Sequence, residues 1–188
     1  MRFHVKLGVF LFAACALIIN SCEEKPEMLN TERLCLVKRL AVLEFQDGPG
    51  TYGANSGNAV TGLVTSELAR CDKYRILERS NLRTVIDEQD LQVSGMVDRE
   101  TAIRVGKILG ADAVVLGSVT QYDMDKTQVY IHMIPIVSKE YTVGAAIRMI
   151  DVETGEIIYA HSASGKSGNN FTEAGKQAAQ RLLVPMSK

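Results

Sequence analysis

The chain has 188 residues, of which 46% are apolar and 23% charged, with a formal net charge of −1. That composition supports a hydrophobic core and excludes an intrinsically disordered chain. The near-neutral charge argues against a nucleic-acid partner and against a polybasic membrane patch.

Residues 1–21 read as an export signal. Arg2 and Lys6 give a basic start without an acid, Leu7 to Ile19 form an unbroken apolar run, and Asn20-Ser21-Cys22 follows. This is the order of a secretory signal, and the run falls short of the roughly 20 apolar residues of a transmembrane helix. A buried helix of the fold is the plainer alternative, but the position behind a basic start favours export. The ending Ile19-Asn20-Ser21-Cys22 resembles the lipobox of bacterial lipoproteins. The resemblance implies cleavage before Cys22, a diacylglycerol on its thiol, and a stable membrane hold through two or three acyl chains. Ordinary cleavage with a free Cys22 is the alternative. Glu23 stands where Asp is the usual inner-membrane retention residue, so the periplasmic face of the outer membrane is favoured and the inner membrane stays open. Without residues 1–21 the chain keeps 19 basic and 22 acidic residues, a formal charge of −3.

Residues 22–36 read as a lipidated tether, since Glu23 to Arg33 is polar, contains Pro26 and lacks periodicity. Residues 37–188 are expected to form one α/β domain. Leu40 to Phe45 is a strand buried on both faces. Gln46 to Asn55, with Gly48, Pro49, Gly50 and Gly53, is a loop. Three helices follow by spacing: Val60, Leu63, Val64 and Leu68; Leu82, Val85 and Ile86; Ala102, Val105 and Leu109. Asp98 is the expected N-cap of the third and Gly110 its stop. Tyr74–Glu78 and Ala113–Val119 are short strands. Thr127–Val137 and Tyr141–Val152 read as long strands joined at Ser138-Lys139-Glu140. A tight turn over Val152–Glu156 then leads into the strand Ile157–Ala163. Gly165–Asn170 is a polar loop, and Phe171, Ala174, Ala178 and Leu182 space a last helix that stops before Pro185. The expected fold is therefore α/β, a mixed sheet flanked by helices, with one long β-hairpin.

Catalytic chemistry is not visible. Ala160-His161-Ser162-Ala163-Ser164-Gly165-Lys166-Ser167 fits the loosest phosphate-loop pattern, but no helix begins directly after Lys166-Ser167, as phosphate binding requires. His132 and His161 lie in expected strands with no ligand at metal spacing. Asp87, Glu88 and Asp90 crowd a helix end and read as a solvated face. No cofactor or metal is expected, and the chain reads as a non-enzyme. Cys35 precedes the first strand and Cys71 ends the helix after it, which brings both to one level of a strand–helix unit. They form a disulfide if their Cα atoms approach about 5.5 Å, and remain two thiols if either side chain turns away.

Four stretches in order, RLAVLEFQDGPG (39–50), ERSNLRTVIDEQDLQVSG (78–95), KILGADAVVLGSVTQYD (107–123) and IRMIDVETGEII (147–158), resemble the CsgG family of curli-channel lipoproteins. The resemblance covers residues 38–184. It implies a periplasmic domain close to the amino-terminal domain of the TolB translocation protein, and a ring of identical subunits. It also implies two β-hairpins per subunit in a shared transmembrane barrel, and a pore-narrowing loop after the first strand. This sequence departs twice. Between His161 and Phe171 there is no room for a second pair of membrane-crossing strands, which need about 9–11 residues each. The loop from Gln46 to Asn55 is also short, and Tyr52 and Asn55 are its nearest chemical equivalents of the pore-loop residues. In the remaining hairpin both faces carry apolar residues, His132 and Arg148 interrupt them, and Pro135 suggests an edge or a bulge, so a covered soluble sheet and a membrane- or partner-inserted hairpin are both open. The expected function is assembly or export of a secreted or surface component by a homo-oligomeric envelope lipoprotein. A lipid-tethered module that regulates an envelope enzyme such as a peptidoglycan synthase is the alternative.

Overall fold

The computed structural model describes residues 26–50, 52–77, 98–132 and 134–186. The export signal, Cys22, the helix expected around Leu82–Ile86 and the acidic group at Asp87, Glu88 and Asp90 lie outside the described residues.

One mixed sheet organises the chain. Its strands are β1 (Met28–Leu29), β2 (Arg39–Val42), β3 (Arg75–Ile76), β4 (Ala113–Ile131), β5 (Ile134–Asp151) and β6 (Ile157–Ser167). They lie in the order β1-β6-β5-β4-β2-β3. β2 runs parallel to β3 and β4, while β4, β5, β6 and β1 pair antiparallel. The helices are α1 (Thr31–Leu36), α2 (Ser56–Arg70), α3 (Arg99–Leu109) and α4 (Phe171–Leu183).

The two-sided apolar run of β2 follows from its place between layers. Leu40 and Val42 enter the core under α2 and α4, with Val64, Leu68, Ala178 and Leu182. Ala41 and Leu43 enter the smaller core under α3, with Ala102 and Val105. Helix ends follow their capping residues. The Asp98 carboxylate accepts the Thr101 N–H at 2.7 Å, and Gly110 ends α3 at φ +65°, where a side chain would be strained. Asn170 accepts the Glu173 N–H at 2.8 Å and opens α4. Asp112 ties β2 to β4 by accepting the Lys38 and Arg39 N–H groups at 2.9 and 2.8 Å. Partial burial opposes its ionisation, but the hydrogen bonds from Arg39 and Lys38 prevail and hold its carboxyl below the usual range.

Three expectations need correction. Residues 28–36, read as tether, contain β1, which pairs with Ala160 and Tyr159 of β6, and α1, which buries Leu34. A two-residue strand and a six-residue helix are too short to show periodicity, so nothing in the polar composition marked them. The hairpin turn is not at Ser138-Lys139-Glu140: Ile131 pairs with Ile134, and the chain reverses between these two residues. The strand read at Ala113–Val119 accordingly runs on to Ile131 as one strand, β4, and the strand read at Thr127–Val137 is divided by the turn between β4 and β5. A bulge at Thr120 interrupts the alternation there, between Val119↔Ala145 and Gln121↔Gly144. Finally, Gly165–Ser167 belongs to β6 rather than to a loop. A Cβ on Gly165 would lie 2.1 Å from the Ala174 carbonyl oxygen, so this glycine lets α4 rest on the strand. The glycine of the apparent phosphate loop is a packing residue.

Candidate functional site

The most unusual feature is the outer part of the β4–β5 hairpin. β6 ends opposite Tyr141, and seven pairs, Asp125↔Glu140 to Ile131↔Ile134, continue with no third strand among the described residues. At about 3.4 Å per residue the ribbon projects roughly 24 Å past the end of β6. Its turn has His132 at φ +48°, the sign that two-residue hairpin loops require.

Cross-strand pairing sorts its side chains. On one face Asp125 stands opposite Glu140, Thr127 opposite Ser138, and Val129 opposite Ile136. On the other, Lys126 stands opposite Lys139, Gln128 opposite Val137, and Tyr130 opposite Pro135. The ribbon is therefore charged on both faces near the domain and apolar on both faces near its end. Val129, Tyr130, Ile136 and Val137 are 51%, 67%, 49% and 56% exposed, so no layer of the described residues covers them. Like charges directly opposed destabilise a ladder. The acidic pair is relieved by Lys166 of β6, whose ammonium lies 2.6 Å from Glu140. The hydrogen bond to Glu140 and the charges of Glu140 and Asp125 raise the Lys166 pKa. The Lys126–Lys139 pair has no acidic partner of this kind among the described residues.

An aromatic cluster props the ribbon where it leaves the sheet. Phe171, the first residue of α4, stacks on Tyr122 at 4.2 Å between centroids and meets Tyr141 edge-on at 4.9 Å. Tyr52 completes the group at 5.7 Å from Phe171. Burial raises the Tyr122 phenol pKa. The loop that carries Tyr52 is pinned from within: the Asp47 carboxylate accepts the Gly57 and Asn55 N–H groups at 2.8 and 3.1 Å, and Ser56 Oγ accepts the Gly48 N–H at 2.9 Å. Tyr52 thus sits at the hairpin base, half-exposed. Asn55 instead precedes α2 at φ +61° with no side-chain cap bond, a backbone role in entering the helix. The spacing of Tyr122 and Tyr141 gave no hint of this cluster, because the Thr120 bulge sets the phase of everything beyond it on β4.

Cys35 is exposed on α1, Cys71 is half-buried at the end of α2, and both are free thiols. Among the described residues no group of His, Cys, Asp and Glu side chains is placed to hold a metal ion, and no helix is long and apolar enough to cross a membrane.

The sequence matches the family described as "Curli production assembly/transport component CsgG" over residues 27–179. The chain belongs to the CsgG family. The match begins one residue before β1 and ends within α4, so it covers the whole sheet and the hairpin. Comparison with curated protein sequences gives no match. Among solved structures, the PelC dodecamer from Paraburkholderia phytofirmans, in a single-substitution variant, is similar at a TM-score of 0.53 and 14% identity, covering 87% of this chain and 95% of that one. The LpoB C-terminal domain from Salmonella enterica aligns at a TM-score of 0.49 and 19% identity, over 68% of this chain and 81% of its own. The PelC likeness shows the CsgG-type fold in this chain, a mixed α/β sheet flanked by helices.

Proposed function

We propose that this CsgG-family protein is a non-enzymatic lipoprotein of the bacterial envelope that serves assembly or export of a secreted or surface component as a ring of identical subunits. The observation that carries the reading is the CsgG match across residues 27–179 of a chain whose hairpin leaves the sheet with its apolar end uncovered. The lipobox-like ending at Cys22 supplies the membrane anchor, on the periplasmic face of the outer membrane. Ring formation is supported by the dodecameric state of PelC, carried over here on fold alone.

The test is the mass of the full-length processed protein in detergent. Light scattering is expected to give a species several times the monomer mass. A clean monomer at micromolar concentration, with and without added lipid, would sink the ring and leave a tethered interaction module. The anchor is tested apart from it: Cys22→Ser is expected to abolish acyl labelling and leave the precursor uncut.

A further inference from the structure

The direction of β1 bears on what meets the apolar end of the hairpin. β1 is antiparallel to β6, with Met28 level with Ala160 and Leu29 with Tyr159. β6 runs from there towards the ribbon and ends opposite Tyr141. The chain entering β1 therefore arrives from the hairpin's side of the domain. Glu27 fits this path, since its carboxylate accepts the Ser162 hydroxyl at 2.9 Å, beyond Ala160 in the same direction.

Chain length then limits the anchor. From Cys22 to Met28 the backbone spans about 20 Å at most, whatever conformation it takes. From Ala160 to the end of β6 is about 24 Å, and the ribbon adds a further 24 Å or so. An anchor at Cys22 thus reaches no further than the foot of the ribbon, and the hairpin extends past it towards the membrane.

We propose that the end of the β4–β5 hairpin, with Val129, Tyr130, Pro135, Ile136 and Val137, seats in the headgroup–acyl boundary of the leaflet that carries the Cys22 lipid. The anchor argued above fixes the geometry. The ribbon dips into the membrane and does not cross it, because seven free residues per strand fall short of the roughly 9–11 that a crossing strand needs. Edges of the ribbon that meet no neighbouring hairpin would also have no backbone partner in hydrocarbon. The boundary zone, about 5–10 Å deep, still holds water for those edges. It matches the roughly 10 Å over which the ribbon is apolar on both faces, and it suits an exposed tyrosine. Lys126 and Lys139 fall one step back, at the level of the lipid phosphates. Anionic headgroups there offset a like-charge pair that the protein leaves unneutralised among its described residues. Since the anchor lies well behind the tip, the strands lean on the surface instead of standing upright.

The chain contains no tryptophan, so Tyr130→Trp introduces a single reporter. In full-length protein purified from membranes and reconstituted in phosphatidylethanolamine–phosphatidylglycerol vesicles, its emission is expected to shift to the blue. Acyl chains brominated near the headgroup should quench it more than chains brominated near the end. Ile108→Trp, on the exposed side of α3 at the other end of the sheet, should show neither effect. In a secreted-length chain carrying Cys22→Ser, Val129→Asp together with Ile136→Asp should lower vesicle binding about tenfold or more. A water-exposed, unquenched Tyr130→Trp reporter in protein whose Cys22 is acylated by mass spectrometry overturns the dip while the anchor stands. Stronger quenching from the chain ends also overturns it, in favour of a crossing ribbon. An unacylated Cys22 with the reporter still quenched near the headgroups defeats the anchor and supports the dip.

Discussion

Tyr74 and Tyr159 are both buried, but the Tyr159 hydroxyl donates to the Leu182 carbonyl, whereas the Tyr74 hydroxyl has no partner among the described residues. Removing an unmade hydrogen bond costs little, and removing a made one costs about 1–2 kcal/mol. Tyr74→Phe is therefore expected to be neutral or stabilising by up to about 1 kcal/mol, and Tyr159→Phe to be destabilising, both read from urea melts. Burial pushes the Tyr74 phenol up to about 12, with Cys71 and Cys35 adding to the shift. A phenol raised in the folded state contributes stability below its ordinary value of about 10, which is lost as pH rises towards 12. The alkaline limb of the stability profile should be shallower in Tyr74→Phe than in the parent. Gly165 and Gly62 make a second pair. Nothing lies within 4 Å of a Cβ on Gly62, while one on Gly165 meets the backbone of α4. Gly165→Ala should cost about 2–4 kcal/mol, because backbone must move, and Gly62→Ala should gain about 0.5–1 kcal/mol in its helix.

At the level of elements, Phe171 joins two structures that lie far apart in sequence, the start of α4 and the foot of the hairpin. Phe171→Ala should cost about 2–3 kcal/mol. Hydrogen exchange should quicken at Tyr122–Lys126 and Ser138–Tyr141 before it does in the sheet, and unchanged exchange there would show that the cluster does not hold the ribbon. The elements legible in the sequence were those with local signals. α3 announced itself through Asp98 and Gly110, and α4 through the spacing of Ala174, Ala178 and Leu182. β1 and α1 were illegible because their stability comes from β6 and the core beneath Leu34, not from their own pattern. The hairpin turn is hidden in the sequence because Ser138, Lys139 and Glu140 look like turn residues. They are polar because the ribbon is uncovered there, while the actual turn contains no glycine or asparagine. Tyr52 is legible as a loop aromatic, but its partners Phe171, Tyr122 and Tyr141 come together only through the fold.

Across the whole molecule, the sheet has one end buried between α2, α3 and α4 and another carried outwards by the ribbon. The N-terminal segment is held to this body by β1 and α1, with Cys35 exposed on α1 and Cys71 at the end of α2. Alkylation without reductant, followed by mass spectrometry, is expected to label both thiols. A single mass lacking both labels would establish a bridge and show that α1 shifts in the oxidised protein.

The bulge at Thr120 has a last consequence for how this strand tolerates change. Val119 and Tyr122 face the same side of the sheet although three positions separate them, because Thr120 drops out of the ladder. Its hydroxyl occupies the place of a side chain on Gly144, where a Cβ would lie 2.7 Å from Oγ1. β4 thus carries one spare residue, a slack link between two stretches that are each in step with β5. Deleting Thr120 removes the slack and leaves every other residue on its present side. Bulges also bend the strand that holds them, so the deletion should straighten the ribbon while the near-ultraviolet signal of the Tyr122–Phe171 stack survives. Deleting Asp123 has no such reserve to draw on. It would turn the outer strand over and exchange Lys126 with its neighbours across the sheet, while Tyr122, which precedes the deletion, keeps its side and its stack on Phe171.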